Sequence, residues 1–206
     1  MSDLKVYQDL LAYNFIIQNF PPGSRLLEIG GGNSRIIDDL KFNYDFWNLD
    51  RLEGQGHCPT DLENSQGYRQ IWDYLGNFNP ELPDQYFDGV YSISTLEHVP
   101  PDQSIFENVL LDINRVLKPG GWSLHCIDLL LGNLGVIRAN GIIDYLYANQ
   151  LMINPRVPVD RIIKDKDLFT LSIYQYYTRW LFVTRKLSFK KFGHPFSYNL
   201  LWKIPA

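Results

Sequence analysis

The stretch R-L-L-E-I-G-G-G-N, residues 25–33, decides the fold. Its first five residues form a short, mostly apolar run of the kind that is buried as a strand in a parallel sheet. The three glycines that follow predict a tight turn, and residues 34–41 have the pattern of a helix. A strand, a glycine turn and a helix in this order are the opening unit of an α/β domain.

The alternation of strands and helices continues to residue 127. Short apolar runs predict strands at residues 46–50, 87–93 and 122–127, and apolar residues at helical spacing predict a helix at residues 104–117. A proline and two glycines at residues 119–121 end that helix before the next strand begins. Such alternation implies right-handed crossovers, so we expect a doubly wound, mostly parallel α/β sheet covered by helices on both faces.

The two ends of the chain carry further predicted elements. A first helix within residues 1–23 is expected to have one apolar face formed by Leu4, Tyr7, Leu11 and Phe15. Towards the C-terminus a helix is predicted at residues 167–182. Two strands near residues 187–192 and 197–204 flank a Gly-His-Pro sequence, and we expect them to pair as an antiparallel hairpin at the sheet edge.

The composition excludes several classes of protein. With 45% hydrophobic and 20% charged residues among 206, the chain can fold as one compact domain, and a disordered chain is excluded. The net charge of −4 gives no general attraction to phosphate backbones, so nucleic acid is not an expected partner. No run approaches the ~18 apolar residues of a membrane span, and the start lacks a leader pattern. The two cysteines form no disulfide framework, so we expect a cytoplasmic protein.

Two acids lie at the ends of the first two strands, where ligands bind in open α/β sheets. Glu28 precedes the glycines and disfavours a bound phosphate. Arg35 replaces the third glycine of a dinucleotide fingerprint, so a nicotinamide oxidoreductase is not favoured. Asp50 can accept hydrogen bonds from both hydroxyls of a ribose. A ligand with a ribose and a cationic amino-acid end suits both acids, and S-adenosylmethionine fits that description.

Each acid also has a simpler interpretation. Glu28 could form an ion pair with Arg25 or Arg35, and Asp50 could be a solvent-exposed group at a strand end.

A series of motifs between residues 26 and 127 supports the interpretation that Glu28 and Asp50 bind S-adenosylmethionine. L-E-I-G-G-G-N at 27–33, Asp50, Y-F-D-G-V-Y-S at 86–92, L-E-H-V at 96–99 and L-K-P-G-G at 117–121 follow one another in this order. With them the chain resembles the class I S-adenosylmethionine-dependent methyltransferases that act on small molecules. The resemblance implies a Rossmann-like methyltransferase fold, with a seven-stranded sheet and an antiparallel edge hairpin.

The resemblance also implies which residues bind the cofactor. Beside the two acids they are Gly30, Gly31, Gly32, Asn33, Arg51, Asp61, Leu62, Ser94 and Leu96. Asp61 matches the family position that hydrogen-bonds the adenine amino group. The segment 63–84 is longer than it usually is in the family, which is a departure from the family pattern next to Asp61.

His98 is the candidate catalytic residue, because an imidazole titrates near pH ~6.5 and could take a proton from the acceptor. It could equally cap the turn before Pro100 or contact the cofactor without moving a proton. No metal is expected, since a catechol-type site would pair acids at the ends of the fourth and fifth strands and only Asp128 is found there. The motifs of the DNA-methylating members of the family are missing as well.

We therefore expect one domain, residues 1–206, with a cap helix at 1–23, a cofactor core at 24–127, a substrate lid at 128–182 and an edge hairpin at 183–206. The predicted function is transfer of a methyl group from S-adenosylmethionine to O or N of a small organic acceptor. The alternative is an inactive protein that binds the cofactor as a sensor or as a partner subunit. The first helix and the lid, which is rich in aromatic residues, are expected to surround the acceptor. The identity of the acceptor and the oligomeric state stay open.

Overall fold

The computed structural model describes residues 4–53, 67–132, 137–138, 141–150, 152–180 and 188–206. The strands are β1 Arg25–Ile29, β2 Asp45–Leu49, β3 Arg69–Ile71, β4 Phe87–Ile93, β5 Leu117–Leu131, β6 Ile137–Arg138 and β7 His194–Lys203. The helices are α1 Leu4–Asn19, α2 Arg35–Leu40, α3 Gln103–Val116, α4 Ile142–Asn149, α5 Val159–Lys164, α6 Ile173–Gln175 and α7 Phe189–Phe192. A 3₁₀ turn, Leu96–His98, follows β4, and a π-helical turn, Tyr176–Trp180, follows α6.

The strands form a seven-stranded sheet in which β3, β2, β1, β4 and β5 lie side by side and run parallel. The antiparallel strand β7 pairs with β5 over ten residues, and β6 pairs with the last two residues of β5. The sequence-based fold class, a doubly wound and mostly parallel sheet with an antiparallel edge, is therefore confirmed. All the parallel strands point their carboxyl ends to the same edge, and the loops that follow them meet there.

The prediction that strands near residues 187–192 and 197–204 pair with each other as a hairpin is wrong. Residues 189–192 form the short helix α7, and β7 pairs with β5 instead. Two phenylalanines spaced three apart suit a helical turn better than a strand, which requires alternation. Gly193 has φ +103° and a Cβ there would lie 2.8 Å from the carbonyl oxygen of Leu131, so this glycine permits the reversal into β7.

The helix predicted at 167–182 begins only at Ile173. Ser172 caps it, because the Ser172 hydroxyl accepts a hydrogen bond from the Gln175 N–H (3.2 Å) while Gln175 Oε1 accepts one from the Ser172 N–H (2.9 Å). This reciprocal capping box fixes the start of the helix six residues later than the apolar pattern suggested.

The face that the first helix turns inward overlaps the predicted one, because Leu4 is buried and Leu11 and Phe15 pack against the core while partly exposed. Its buried residues are spaced four apart and are Leu4, Gln8, Ala12 and Ile16. Tyr7, expected inside, is 38% exposed and stacks on Phe169 with ring centroids 5.1 Å apart. A polar residue occupies the buried face because Gln8 finds hydrogen-bond partners there, described below.

Helices cover both faces of the sheet. On one face α1 and α2 pack Ile16 and Ile37 against the strands, and on the other α3 and α4 pack Ile113 and Leu146. Among the described residues, no helix combines the length and the apolar character that a bilayer crossing requires.

Candidate functional site

The loop between β1 and α2 is shaped by glycine. Gly30 and Gly32 have φ of +67° and +52°, values that other residues adopt only with strain. The Gly30 N–H donates to the Leu49 carbonyl (2.8 Å), and a Cβ on Gly30 would lie 2.5 Å from Cγ2 of Thr95. Residue 30 must therefore be glycine both for its backbone conformation and for the close approach of the segment after β4.

A buried amide that the sequence analysis missed supports this loop from below. Asn48 in β2 has no exposed surface. Its Oδ1 accepts a hydrogen bond from the Gly31 N–H (3.2 Å), and its Nδ2 donates to the Gly32 carbonyl (3.3 Å). The signal was present in the sequence, because an asparagine inside the strand F-W-N-L must find partners once it is buried.

Asp50, at the carboxyl end of β2, is brought beside the same loop. Its two carboxylate oxygens accept hydrogen bonds from the N–H groups of Gly32 and Leu52, both at 2.8 Å. Leu52 has φ +53°, a strained conformation that turns its N–H towards the carboxylate. A carboxylate oxygen can accept more than one hydrogen bond, so these contacts fix Asp50 in position and leave it able to bind hydroxyl groups. Its neighbour Arg51 pairs with Glu53 at 3.3 Å.

Glu28 lies beneath the loop and is 3% exposed. The Tyr91 hydroxyl donates to its Oε2 (2.7 Å), and a Cβ on Gly31 would come within 2.7 Å of its Cδ. Burial raises the pKa of Glu28 to about 7, although hydrogen bonds from Ser34 and Tyr91 oppose the shift.

The simpler interpretation of Glu28, an ion pair with a nearby arginine, is wrong. Arg25 pairs with Asp45 at 3.9 Å, and Arg35 pairs with Asp9 on α1. Both arginines therefore have other carboxylate partners.

The segment after β4 closes the site on the other side. Ser94 has φ +51°, and its N–H donates to the Cys126 carbonyl in β5 (2.8 Å). Thr95 Oγ1 lies 3.2 Å from the carbonyl oxygens of Ile29 and Ile93, to which it can donate. Leu96 is buried and His98, one residue further than Glu97, is exposed at the end of the 3₁₀ turn. This segment therefore links the ends of β1, β4 and β5.

A second polar cluster, which the sequence analysis missed, lies beyond Ser94. Gln8 Nε2 of α1 donates to Asp128 Oδ1 (2.7 Å) and to Ser197 Oγ (3.1 Å). The Ser94 hydroxyl donates to Gln8 Oε1 (2.8 Å) and lies 3.2 Å from Asp128 Oδ1. The backbone N–H of Asp128 donates to Glu97 Oε1 (3.2 Å). We call these five residues the acidic cluster.

The expectation that only one acid stands at the ends of the fourth and fifth strands is corrected by this cluster. Glu97 lies four residues past the end of β4, but the 3₁₀ turn brings it back beside Asp128. Burial raises the pKa of Glu97 to about 8, and the nearby charge of Asp128 adds to the shift. Burial also raises the pKa of Asp128, and the hydrogen bonds from Gln8 and Ser94 oppose it.

Other predicted residues have different outcomes. Asp61 and Leu62 lie outside the described residues, and Asn33 is exposed directly after the glycine loop. Within the described part of the chain, no group of three or more His, Cys, Asp or Glu side chains could hold a metal ion. An open cavity of about 210 Å³ lies against α5 and the start of β7, with Ile162, Phe196 and Ser197 in its wall. Ser197 belongs to the acidic cluster, so this cavity borders it.

Comparisons with known proteins agree with the motifs. Residues 27–124 match the methyltransferase domain family. A sterol 24-C-methyltransferase of Yarrowia lipolytica is 33% identical over 120 residues, which are 56% of this chain and 29% of that protein. The chain thus spans less than a third of this curated relative.

Solved structures share the fold. Phosphoethanolamine N-methyltransferase 2 of Haemonchus contortus, in complex with S-adenosylmethionine, superposes with a TM-score of 0.53 at 17% identity, over 97% of this chain and 53% of that one. The YcgJ protein of Bacillus subtilis superposes with a TM-score of 0.62 at 14% identity, over 97% of this chain and 99% of that one. Residues 27–124, just under half of the chain, thus match the methyltransferase domain family, and the chain shares its fold with these solved structures.

Proposed function

We propose that the chain binds S-adenosylmethionine over the glycine loop and transfers its methyl group to O or N of a small acceptor. The observation that carries the proposal is the pairing of Gly32 with Asp50. The Asp50 carboxylate is held 2.8 Å from the N–H of Gly32, in a loop whose positive φ values at Gly30 and Gly32 favour glycine. A ribose at this place would donate both hydroxyls to Asp50 while the rest of the ligand crosses the loop.

The remaining predicted contacts are part of this proposal. The amino-acid end of the cofactor is proposed to bind over the backbone of Gly30 and Gly31, and Glu28, from beneath the loop, favours its positive charge. Arg51 and Asn33 flank the ribose, Ser94 and Leu96 lie on the side of the sulfonium, and Asp61 and Leu62 are proposed for the adenine.

Methyl transfer requires little of the protein beyond positioning the reacting atoms and excluding water from the site. The acceptor atom forms a bond to the methyl carbon, the S–C bond breaks, and its electron pair stays on sulfur. The protein must align the three atoms and exclude water, which strengthens electrostatic interactions around the sulfonium. His98 is proposed to receive a proton from the acceptor, directly or through water.

The acceptor is proposed to bind between α1 and the segment 128–182. Support comes from the stacking of Tyr7 on Phe169, which joins the first helix to that segment across the edge where the strands end. The cavity beside Phe196 and Ser197 gives this region space for an organic group.

A second candidate function is methylation at carbon. The relative from Yarrowia lipolytica is named for transfer to a carbon of a sterol, and the match of 33% over 120 residues favours testing this class of acceptor.

Calorimetric titration with S-adenosylmethionine tests the proposal. A charge-assisted hydrogen bond contributes about 1.5–3 kcal/mol, so Asp50→Ala should weaken binding about 10- to 100-fold. The control is Asp160→Ala, which removes an exposed carboxylate on α5 and should bind as the unaltered protein does. Equal affinities in the two variants would contradict the assignment. Formation of the demethylated cofactor in the presence of acceptors separates an enzyme from an inactive binding protein.

A further inference from the structure

The acidic cluster has a composition that its own hydrogen bonds do not explain. Glu97, in the turn after β4, and Asp128, in β5, are 31 residues apart in sequence and contact each other through Glu97 Oε1 and the Asp128 N–H (3.2 Å). Both side-chain contacts of Asp128, from Gln8 and Ser94, end on the single oxygen Oδ1. The carboxyl groups of Glu97 and Asp128 are thus brought close together, and the side chains that donate to Asp128 are neutral.

One oxygen of the pair is left without a partner. Glu97 Oε2 is buried and has no hydrogen-bond partner among the described residues. A buried carboxyl oxygen without a partner carries a free-energy cost, and buried polar groups in proteins are nearly always satisfied. Glu97 Oε2 is therefore a position where a ligand donor would be strongly favoured.

In the part of the chain that the structure describes, no cation forms an ion pair with Glu97 or Asp128. Lys5 donates to the Ile93 carbonyl (3.3 Å), and its charge and that of His98 lower the pKa of Asp128 less than burial raises it. Burial is the main cause of the raised pKa of both acids, and the charge of Asp128 adds to the shift at Glu97.

We propose that the methyl acceptor is an amine whose protonated nitrogen binds between Glu97 and Asp128. This inference rests on the function proposed above and narrows its acceptor from O or N to N. An ammonium group has three N–H donors, so it can reach Glu97 Oε2 and the Asp128 carboxylate together and neutralise their charge. The acidic cluster includes Ser94, proposed above to lie on the side of the sulfonium, and Ser197, which lies in the wall of the cavity.

For an amine acceptor this pair, in place of His98, takes the proton in the reaction. The bound ammonium gives one proton to a carboxylate of the pair, which becomes a carboxylic acid and leaves a neutral amine with a lone pair. That lone pair forms the N–C bond to the methyl group while the S–C bond breaks and its electrons remain on sulfur. The product is the methylated ammonium and the neutral thioether, and the carboxylic acid releases its proton to solvent.

Paired probes of equal shape test the inference without knowledge of the natural acceptor. The protein loaded with S-adenosylhomocysteine is titrated with 2-phenylethylamine and with 2-phenylethanol, and binding is followed by NMR. We expect the amine to bind at least tenfold more tightly than the alcohol. Glu97→Gln and Asp128→Asn should each remove that preference and leave the alcohol unchanged. Glu107→Gln, the same change on the exposed face of α3, should preserve it.

The outcomes separate this inference from the proposed function. Equal binding of the two probes by the unaltered protein overturns the amine inference, whether or not the variants fold. A preference that survives both substitutions, or that disappears when EDTA removes divalent cations, overturns it too. If the substitutions weaken S-adenosylhomocysteine instead of the amine, the pair serves the cofactor. Failure of S-adenosylhomocysteine to bind the unaltered protein overturns the proposed function itself.

Discussion

Replacing Gly30 by alanine tests the contact that joins the glycine loop to the end of β4. The residue has φ +67°, and an L side chain in this left-handed region costs about 1–2 kcal/mol. The new Cβ would lie 2.5 Å from Cγ2, 2.6 Å from Oγ1 and 3.1 Å from Cβ of Thr95. Carbon atoms pack best at about 3.5–4.0 Å, so the threonine or the loop must move. Overpacking of this kind costs a further 1–3 kcal/mol or so.

The expected loss is therefore about 2–5 kcal/mol in the free energy of unfolding, the sum of the strain and overpacking terms. The matched control is Gly120→Ala. Gly120 has φ +77° and no atom within 4 Å of its added Cβ, so it carries the backbone strain without the collision. Its loss should stay at about 1–2 kcal/mol. The difference between the two variants isolates the contact with Thr95.

Urea denaturation measures both losses, and titration with S-adenosylhomocysteine measures the consequence for the site. Gly30→Ala should bind weakly because Thr95 holds the carbonyls of Ile29 and Ile93 that end β1 and β4. Adding Thr95→Gly removes all three colliding atoms, so the double variant should be more stable than the two single losses predict when added. If Gly30→Ala and Gly120→Ala lose equal stability and Gly30→Ala binds normally, the loop is only a turn and the reasoning is refuted.

Three further predictions concern other parts of the site. Asn48→Leu should cost about 1–3 kcal/mol of stability by leaving the Gly31 N–H without its acceptor, and should weaken S-adenosylhomocysteine in calorimetry, whereas a variant that binds normally would deny Asn48 a supporting role. Burial raises the pKa of Glu28 from its ordinary 4.5 to about 7, so its contribution favours folding at low pH and is lost as the pH rises between those values. Raising the pH from 5 to 8 should therefore lower the free energy of unfolding of the unaltered protein by about 2–3 kcal/mol more than that of Glu28→Gln. Chemical denaturation at each pH measures both, and parallel pH curves for the two proteins would contradict this. Tyr7→Ala and Phe169→Ala should each raise the acceptor KM with cofactor affinity unchanged, and steady-state kinetics showing the reverse would place the acceptor elsewhere.

The sequence predicted the parts of the molecule that depend on local conformation. The strand before Gly30, the turn at residues 30–32 and the acid at position 50 each follow from a few neighbouring residues, because a left-handed backbone requires glycine and a buried parallel strand requires an apolar run. The structure places Gly32 and Asp50 in direct contact, 2.8 Å apart, although 18 residues separate them. The parallel register of β1 and β2 makes that contact, and the register could be inferred from the alternation of strands and helices.

The parts that the sequence did not predict depend on partners that are distant in the chain. In the sequence, Gln8 only interrupts the apolar pattern of a helix. The structure shows that it forms hydrogen bonds with Ser94, Asp128 and Ser197. The predicted face of α1 is largely correct, and the burial of Gln8 beside it depends on hydrogen-bond partners that only the fold supplies. The sequence predicts a strand at residues 187–192, whereas residues 189–192 form the helix α7 and β7 pairs with β5.

The site has two halves: the proposed cofactor half depends mainly on local conformation, and the acidic cluster depends on residues that are distant in the chain. The proposed cofactor half is formed largely by backbone groups, whose positions are fixed by glycine conformations and by the buried amide of Asn48, so few sequences can form it. The acidic cluster is formed by side chains from α1, the turn after β4, β5 and β7, and their backbones adopt conformations that many residues could share, Ser94 excepted. Under the amine proposal, substitution in the acidic cluster should therefore change which acceptor is recognised while the sheet and the glycine loop remain intact. Ser94, with φ +51° and hydrogen bonds to both Gln8 and the β5 backbone, is where the two halves meet, and its strained backbone is the cost of placing one hydroxyl at that junction.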